Sequence, residues 1–217
     1  MRLLDLFCGA GGCARGYAQA GFEIVGVDLF PRPTYPYAFI RGDALDFPLD
    51  DFDVIHASPP CQAYSSATFA SRSRGMQYPD LLGRMRMRLM ASGKPWIIEN
   101  VVGAPVHSGI LLCGSMFGLR VRRHRFFECS HLLFAPSACR HDDNFVTVMG
   151  GSILRQKKNP AYGGRRGTGA AKMVRTFSID EGKRAMGIDW ECSATELSQM
   201  IPPAYTRWVG TQLLEVL

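Results

Sequence analysis

The sequence predicts an α/β fold, a largely parallel sheet with helices on both faces and a small second lobe. Three observations carry this. Short apolar runs alternate with helix-like stretches through the first half of the chain, the pattern of a sheet buried on both sides. The first run leads through a cluster of glycines into a helix, as strand–turn–helix ligand sites do. After residue 120 the alternation stops and a basic, glycine-rich stretch follows. The 217 residues suffice for one domain with a core and a small lobe, and hardly for two full domains.

In chain order, Arg2–Phe7 reads as a buried strand, Gly9-Ala10-Gly11-Gly12 as a tight turn, and Ala14–Ala20 as a short helix stopped by Gly21. Glu23–Asp28 is the next strand. Asp53–Ala57 and Trp96–Val101 are two more, with the helical stretch Leu81–Ala91 between them. Farther on, Phe126–Leu133 and Phe145–Met149 have strand character with no long helix between them. Residues 155–172 contain almost no large apolar side chains, which predicts a mobile loop. Ser178-Ile-Asp-Glu181 and Ser193-Ala-Thr-Glu196 both fit the capping box that starts a helix, and Pro202-Pro203 opens a final helix to about Leu214.

Composition and charge narrow the function classes. With 47% hydrophobic and 20% charged residues the chain is an ordinary globular one, so collagen, coiled coil and global disorder are excluded. No apolar run approaches the ~18 residues of a membrane span, and an acid at Asp5 interrupts any leader-like stretch, so a cytoplasmic location is expected. The seven cysteines then read as thiols, ligands or a nucleophile rather than a disulfide frame. Residues 1–119 balance 10 Lys and Arg against 10 Asp and Glu, whereas residues 120–184 carry 14 against 5. A neutral body with one basic segment fits a polyanion docked on one side; a solvated, charge-rich loop fits as well.

Four groups of residues can carry chemistry. The glycine turn lets backbone approach a ligand and places a helix N-terminus behind it, with Asp28 one strand later and Asp43 at the sheet edge to take a ribose diol and an adenine amino group. Gly9-x-Gly11-x-x-Ala14 also satisfies the dinucleotide fingerprint, so NAD competes, as does a tight turn with no ligand. Ser58-Pro59-Pro60-Cys61-Gln62 stiffens the backbone before a cysteine at a strand end, which would present its thiol; alone, a cysteine is more often a small buried hydrophobe. Glu99 ends an apolar run, where burial would raise its pKa, or it caps the next turn. In strand alternation Arg123 and Arg125 point one way, into a site or along a charged edge. Together these suggest a thiolate adding to an electron-poor ring carbon, an acid protonating a ring nitrogen, an arginine on a ring carbonyl, and an adenosyl cofactor offering an electrophilic carbon.

In this order the motifs resemble the cytosine-5 DNA methyltransferases, particularly the short forms found among phage genes. Asp5-Leu-Phe-Cys-Gly-Ala-Gly-Gly12 resembles the cofactor loop, Val27-Asp28 and Gly42-Asp43 the ribose and adenine acids, and Pro59-Pro60-Cys61-Gln62 the nucleophile motif. Ile98-Glu99-Asn100-Val101 resembles the glutamate motif, Arg123-x-Arg125 the paired arginines, and Phe177–Met186 and Gln199–Gly210 the closing helices. Six motifs in order outweigh the NAD reading, which has no second motif.

The resemblance implies a Rossmann-like S-adenosylmethionine-dependent methyltransferase sheet with a reduced target-recognition lobe. Residues 1–128 would form the core, 129–175 a short basic recognition segment, and 176–217 the helices returning to the core. It implies catalysis by Cys61, Glu99, Arg123 and Arg125 on a flipped-out cytosine. S-adenosylmethionine would be bound by Asp5, Phe7, Cys8, Gly9, Gly11, Gly12, Asp28, Leu29, Asp43, Ala44, Ser58, Pro59 and Gln199. DNA, double-stranded with a short recognition sequence, would be met by Gln62, Ser65, Arg155, Lys157, Lys158, Arg165 and Arg166.

The chain departs from the family pattern at three places. Val121 stands where a Gln usually opens the arginine motif, Ser58 where a Gly precedes the prolines, and Ser198-Gln199 where Gly-Asn is usual. Only about 45 residues, Ser130–Arg175, are left for target recognition. Two Cys-x-His pairs, Cys129/His131 and Cys139/His141, have ligand types for tetrahedral zinc, but their spacing is not a common finger and free thiols with surface histidines are expected. An RNA or tRNA cytosine methyltransferase, or a methyltransferase-like DNA binder without turnover, are the alternatives.

Overall fold

A computed structural model describes residues 1–141, 145, 146, 148 and 178–217. Seven strands form one sheet: β1 (Arg2–Leu6), β2 (Glu23–Asp28), β3 (Ala38–Arg41), β4 (Val54–Ala57), β5 (Trp96–Asn100), β6 (Gly109–Leu112) and β7 (Arg125–Cys129). Their spatial order is β3-β2-β1-β4-β5-β7-β6. The first five run parallel, with Leu6 opposite Ala57 and Ala57 opposite Ile98, so the carboxyl ends of β1, β4 and β5 share one edge. The chain order reverses between β1 and β4, the place where an α/β sheet opens a crevice for ligands. β7 pairs antiparallel with both β5 and β6. The sheet is therefore mixed, and its antiparallel edge brings Phe127 opposite Glu99.

Alternation along the strands splits the core into two layers. Leu3, Ile24, Val54 and Ile97 face α1 (Gly12–Ala20) and the last helix, while Leu4, Val25, Ile55 and Ile98 face the opposite helix layer. The helices after β4 are α2 (Phe69–Arg72) and α3 (Leu82–Ala91), the latter packing Leu82, Met85 and Leu89 into the second layer. The C-terminal helices are α4 (Ile179–Met186), α5 (Ala194–Gln199) and α6 (Pro203–Val216). Ser193 and Glu196 form a complete capping box. At Ser178 the side chain accepts from Glu181 N, the forward half of the expected pair. No helix among the described residues is long and apolar enough to cross a membrane.

Strands β3 and β6 escape the sequence reading, and the strand expected at Phe126–Leu133 occupies Arg125–Cys129. Of Phe145–Met149, only Phe145, Val146 and Val148 are described, and Val146 makes an isolated bridge to Val121. The basic stretch 155–172 lies outside the described residues.

Helices α1 and α6 approach closely enough to exclude a side chain at Gly16. A Cβ there would overlap the Pro203 carbonyl oxygen and Thr206 Oγ1, with the Arg207 amide nitrogen also inside contact distance. Thr206 Oγ1 is held in place by donating to the Cys13 carbonyl at 2.8 Å. Gly16→Ala gains about 1 kcal/mol of helix propensity. Overpacking against backbone costs about 1–3 kcal/mol, because backbone cannot rotate aside. The net is a loss, read as a lower denaturation midpoint in urea; an unchanged or higher midpoint would show that the helices separate freely.

Candidate active site

The glycine turn forms because three residues adopt left-handed backbone within a short span: Phe7 at φ 58°, Gly9 at 53° and Gly11 at 86°. Such a conformation is rare for a residue with a side chain and marks Phe7 as strained. The turn is pinned from β2. Cys8 N donates to the Val27 carbonyl at 3.1 Å, and Gly9 N donates to Asp28 Oδ2 at 3.1 Å. The other Asp28 oxygen accepts from Phe30 N at 3.0 Å, and Arg32 pairs with the carboxylate at 3.0 Å. Asp28 thus organises the turn, and a ribose diol would compete with Arg32 for it. Beside it Leu29 and Phe30 are exposed by 53% and 62%. Asp43 is exposed and accepts from Leu45 N at 2.9 Å, while Ala44 is buried.

Asp5 lies beneath the turn at the end of β1. One carboxyl oxygen accepts from the Tyr35 hydroxyl at 3.1 Å; the other is buried with no partner among the described residues. Among the described residues, no atom beyond the two chain neighbours stands within 4 Å of where a Gly9 Cβ would be. An orphaned buried acceptor and open space above a left-handed turn fit a polar, amine- or hydroxyl-bearing ligand such as S-adenosylmethionine.

Burial raises the Asp5 carboxyl to about 7, against the pull of the Tyr35 hydrogen bond. A carboxyl whose folded pKa lies above its unfolded value stabilises fully below the unfolded pKa and loses that contribution as pH rises through about 7. Asp5→Asn is therefore expected to unfold at higher urea than the wild type at pH 8, by about 2–4 kcal/mol. It should gain little at pH 4. Equal gains at both pH values would show that Asp5 is not the titrating group.

The second half of the site is built on the ends of β4 and β5. Ser58 N donates to the Leu6 carbonyl at 3.1 Å, continuing the β1–β4 ladder into the Pro59-Pro60 turn. Asn100 Nδ2 donates to the Pro59 carbonyl at 3.0 Å and so clamps that turn to β5. Two prolines and one side-chain clamp leave little freedom for the half-buried Cys61 that follows. The Cys61 carbonyl accepts from the amides of Tyr64 and Ser65. The Ser65 hydroxyl is used locally, accepting from Ala67 N at 3.2 Å, whereas Gln62 Oε1 is buried with no partner among the described residues.

Glu99 and Arg125 meet Cys61 electrostatically. Arg125 Nε lies 3.1 Å from Glu99 Oε1, with both side chains largely buried. Burial raises the Glu99 carboxyl, opposed by Arg125, by a hydrogen bond with Ser58 and by Arg123. Burial likewise raises the Cys61 thiol, and Arg125 pulls it back down; Glu99 adds to the rise and Arg123 opposes it. Burial thus shifts both groups toward their protonated forms, and the Arg125 guanidinium opposes that shift at each.

Arg123 differs from the sequence expectation. β7 begins at Arg125, so Arg123 precedes the strand and strand alternation does not relate the two. Its Nη1 donates to the Val148 carbonyl at 3.0 Å and its Nη2 to the Ser198 carbonyl at 2.8 Å. Burial, with Arg125 beside it, lowers its pKa to about 9. Arg123 fastens the arginine segment to the end of α5, and Tyr205 of α6 donates to its carbonyl at 2.6 Å.

The closing helices also reach the glycine turn. Trp190 Nε1 donates to the Ala10 carbonyl at 3.1 Å, Thr34 Oγ1 donates to Glu196, and a Cβ on Gly12 would overlap the Ile201 backbone. Gln199 stands exposed as the last residue of α5.

Sequence reasoning missed a buried chain behind Glu99. The Tyr17 hydroxyl lies 3.0 Å from His56 Nδ1, His56 Nε2 lies 2.9 Å from Ser58 Oγ, and Ser58 bonds Glu99. Burial lowers His56 to about 3, so its ring is neutral and passes a polar link through the apolar layer. The only sequence signal was a histidine inside a buried strand. Of the two Cys-x-His pairs, Cys139 and His141 join a converging group of ligand types and Cys129 and His131 do not. The converging group among the described residues is Cys113, His124, Cys139 and His141. Arg155, Lys157, Lys158, Arg165 and Arg166 lie outside the described residues.

Comparison with known proteins places the chain among methyltransferases. A profile for "C-5 cytosine-specific DNA methylase" matches residues 1–104. The Type II methyltransferase M.HgiGI of Herpetosiphon aurantiacus is 33% identical over 122 residues, covering 46% of this chain and 90% of that protein. The Type II methyltransferase M.AgeI of Thalassovita gelatinovora is 30% identical over 132 residues, 50% of this chain but 30% of that protein. The match to three further Type II methyltransferases spans 33–37% of their length. Among solved structures, Entamoeba histolytica methyltransferase EhMeth aligns over 99% of this chain and 97% of its own, with TM-score 0.60 and 12% identity. S. pombe Dnmt2 methyltransferase aligns over 100% and 98%, with TM-score 0.59 and 12% identity. At that identity the likeness is one of fold, an α/β sheet of the methyltransferase type.

Proposed function

The chain belongs to the C-5 cytosine-specific DNA methylase family, and on that premise we propose that it methylates C5 of cytosine in DNA through a covalent adduct with Cys61. The observation that carries the reading is the convergence of Cys61, Glu99 and Arg125 at the carboxyl edge, next to the left-handed glycine turn. Cys61 Sγ adds as a thiolate to C6 of an unstacked cytosine. Glu99, whose carboxyl burial shifts toward its protonated form against the pull of Arg125, gives a proton to N3 as the C6 bond forms, so the ring's electrons collect at C5 rather than on nitrogen. Arg125 donates to O2, and its pairing with Glu99 aims both groups at one ring. The turn with Asp28, Leu29, Asp43 and Ala44 would hold S-adenosylmethionine, which when bound would supply the methyl carbon to C5 as its sulfonium S–C bond breaks, leaving S-adenosylhomocysteine. Loss of the C5 proton to a base and return of the N3 proton to Glu99 then restore the C5–C6 double bond and expel Cys61 as its thiolate.

Arg123 serves this site as a clamp on the closing helices. The basic residues Arg155, Lys157, Lys158, Arg165 and Arg166 are assigned to duplex phosphates, and residues 129–175 to a short recognition segment. The test is transfer of labelled methyl from S-adenosylmethionine to duplex DNA, RNA and free nucleotide offered separately. Label is expected in duplex DNA. Label in RNA alone would favour the RNA methyltransferase reading, and binding of DNA with no transfer to any acceptor would favour a binding module.

A further inference from the structure

We propose that Cys113, His124, Cys139 and His141 form a structural zinc site that ties the arginine segment to the chain beyond β7. The four residues come from three separate stretches. Cys113 directly follows β6, His124 directly precedes β7, and Cys139 and His141 lie beyond it. Their ligand atoms nevertheless all fall within 4.8 Å of one another. Cys113 Sγ lies 3.3 Å from His141 Nε2, and Cys139 Sγ lies 3.6 Å from His124 Nε2. A tetrahedral zinc with its usual bond lengths places sulfur and nitrogen ligands about 3.5 Å apart. Two isolated thiol–imidazole hydrogen bonds would account for each pair. They would not account for the pairs meeting, with the two imidazole rings 5.0 Å apart at 74°.

The surroundings favour a metal with two thiolates. Arg122, Arg125 and Arg140 crowd this region. A zinc with two thiolates and two neutral imidazoles carries no net charge, so it adds no repulsion there. The Ser115 hydroxyl donates to Cys113 Sγ at 3.5 Å and accepts from Arg140 N at 3.2 Å, the outer support that a metal thiolate uses. Residues 130–141 form neither helix nor strand, and Leu132 and Phe134 are exposed by 76% and 64%. Leu133 enters the core and Phe134 is held by Gln212 and Trp208 of α6, so a cross-link would add order chiefly to the stretch that follows, which carries Cys139 and His141. His124 sits between the two arginines, and its carbonyl accepts from Arg125 Nη1 at 2.7 Å. A metal on its ring would therefore fix the backbone from which Arg125 reaches Glu99.

The test uses the full chain purified without added chelator. Elemental analysis is expected to give about one zinc per chain. Cobalt exchanged into the site should show thiolate-to-metal charge transfer and the visible bands of tetrahedral coordination. Cys139→Ser and His141→Asn, both at accessible positions, should each lower bound metal at least tenfold. Cys129→Ser and His131→Asn should leave it unchanged, and the melting temperature of the wild type should fall on chelation. Metal-free protein that takes up no cobalt would overturn the proposal. So would zinc that follows Cys129 and His131 instead, or a Cys113–Cys139 disulfide in protein kept under reducing conditions. None of these readouts depends on methyl transfer.

Discussion

Cys61→Ser is expected to lower methyl transfer by more than about a thousandfold while leaving S-adenosylmethionine affinity within about twofold. The reasoning starts from ionisation. A thiol can reach its anion beside Arg125 even though burial pushes its pKa up. A serine hydroxyl in the same half-buried place starts several units higher and receives the same modest help, so the nucleophile is in effect absent. The substitution removes little volume and breaks none of the backbone bonds that hold the turn, which run through the Cys61 carbonyl and the Pro59 carbonyl. Cofactor binding is assigned to the glycine turn and should survive. Calorimetry with the cofactor and single-turnover methylation on duplex DNA measure the two effects separately. Near-normal turnover by Cys61→Ser would remove the cysteine from the mechanism, and joint loss of turnover and cofactor binding would point to misfolding.

The second large effect is expected at Glu99. Glu99→Gln keeps the shape and an oxygen for Arg125, so the buried guanidinium is not left alone. What it loses is the transferable proton. General acid catalysis contributes typically about 10²–10⁴-fold, and a loss of that size is predicted in kcat. The pH dependence gives the sharper readout. With Glu99 present, activity requires a protonated carboxyl and an ionised thiol, whose requirements oppose each other and produce two limbs. Burial raises both groups. With glutamine only the thiol requirement remains, so the residual rate should rise monotonically with pH. A variant that keeps both limbs would show that another group supplies the proton.

The residues explain which parts of the structure were legible in the sequence. β1, β2, β4 and β5 are buried on both faces, so each is an apolar run bounded by polar or turn residues, and their positions agree with the structure within a residue or two. β3 is a sheet edge whose residues Ala38, Ile40 and Arg41 are exposed, so burial never imprinted a pattern on it. β6 has four residues and opens at an exposed glycine. The reversal of β7 is a long-range matter: nothing within Arg125–Cys129 states which neighbour it joins or in which direction.

The site divides along the same line. Asp5, Gly9, Gly11, Cys61, Glu99 and Arg125 are marked by local grammar, glycines before a helix, prolines before a thiol, an acid closing an apolar strand. Arg123 looked like a second member of the base pocket because two arginines two residues apart suggest a shared face. Its guanidinium donates to the carbonyls of Val148 and Ser198, the latter 75 residues distant, and still acts electrostatically on Cys61 and Glu99. The cysteine–histidine group was misread for a similar reason. Short Cys-x-His spacing drew Cys129 and His131 together with Cys139 and His141. Folding brings up Cys113 and His124 instead, from the chain on either side of the β6–β7 connection.

The central claim, covalent attack by Cys61 on C6 of cytosine, is tested most directly by trapping. In a duplex carrying 5-fluorocytosine, methyl transfer to C5 can proceed, but fluorine cannot leave as the proton does, so the enzyme stays attached. With S-adenosylmethionine present, the wild type should give a denaturation-stable protein–DNA adduct that peptide mapping places on Cys61, and Cys61→Ser should give none. Methylation of ordinary cytosine by a protein that forms no such adduct, or an adduct mapped to another cysteine, would contradict the account.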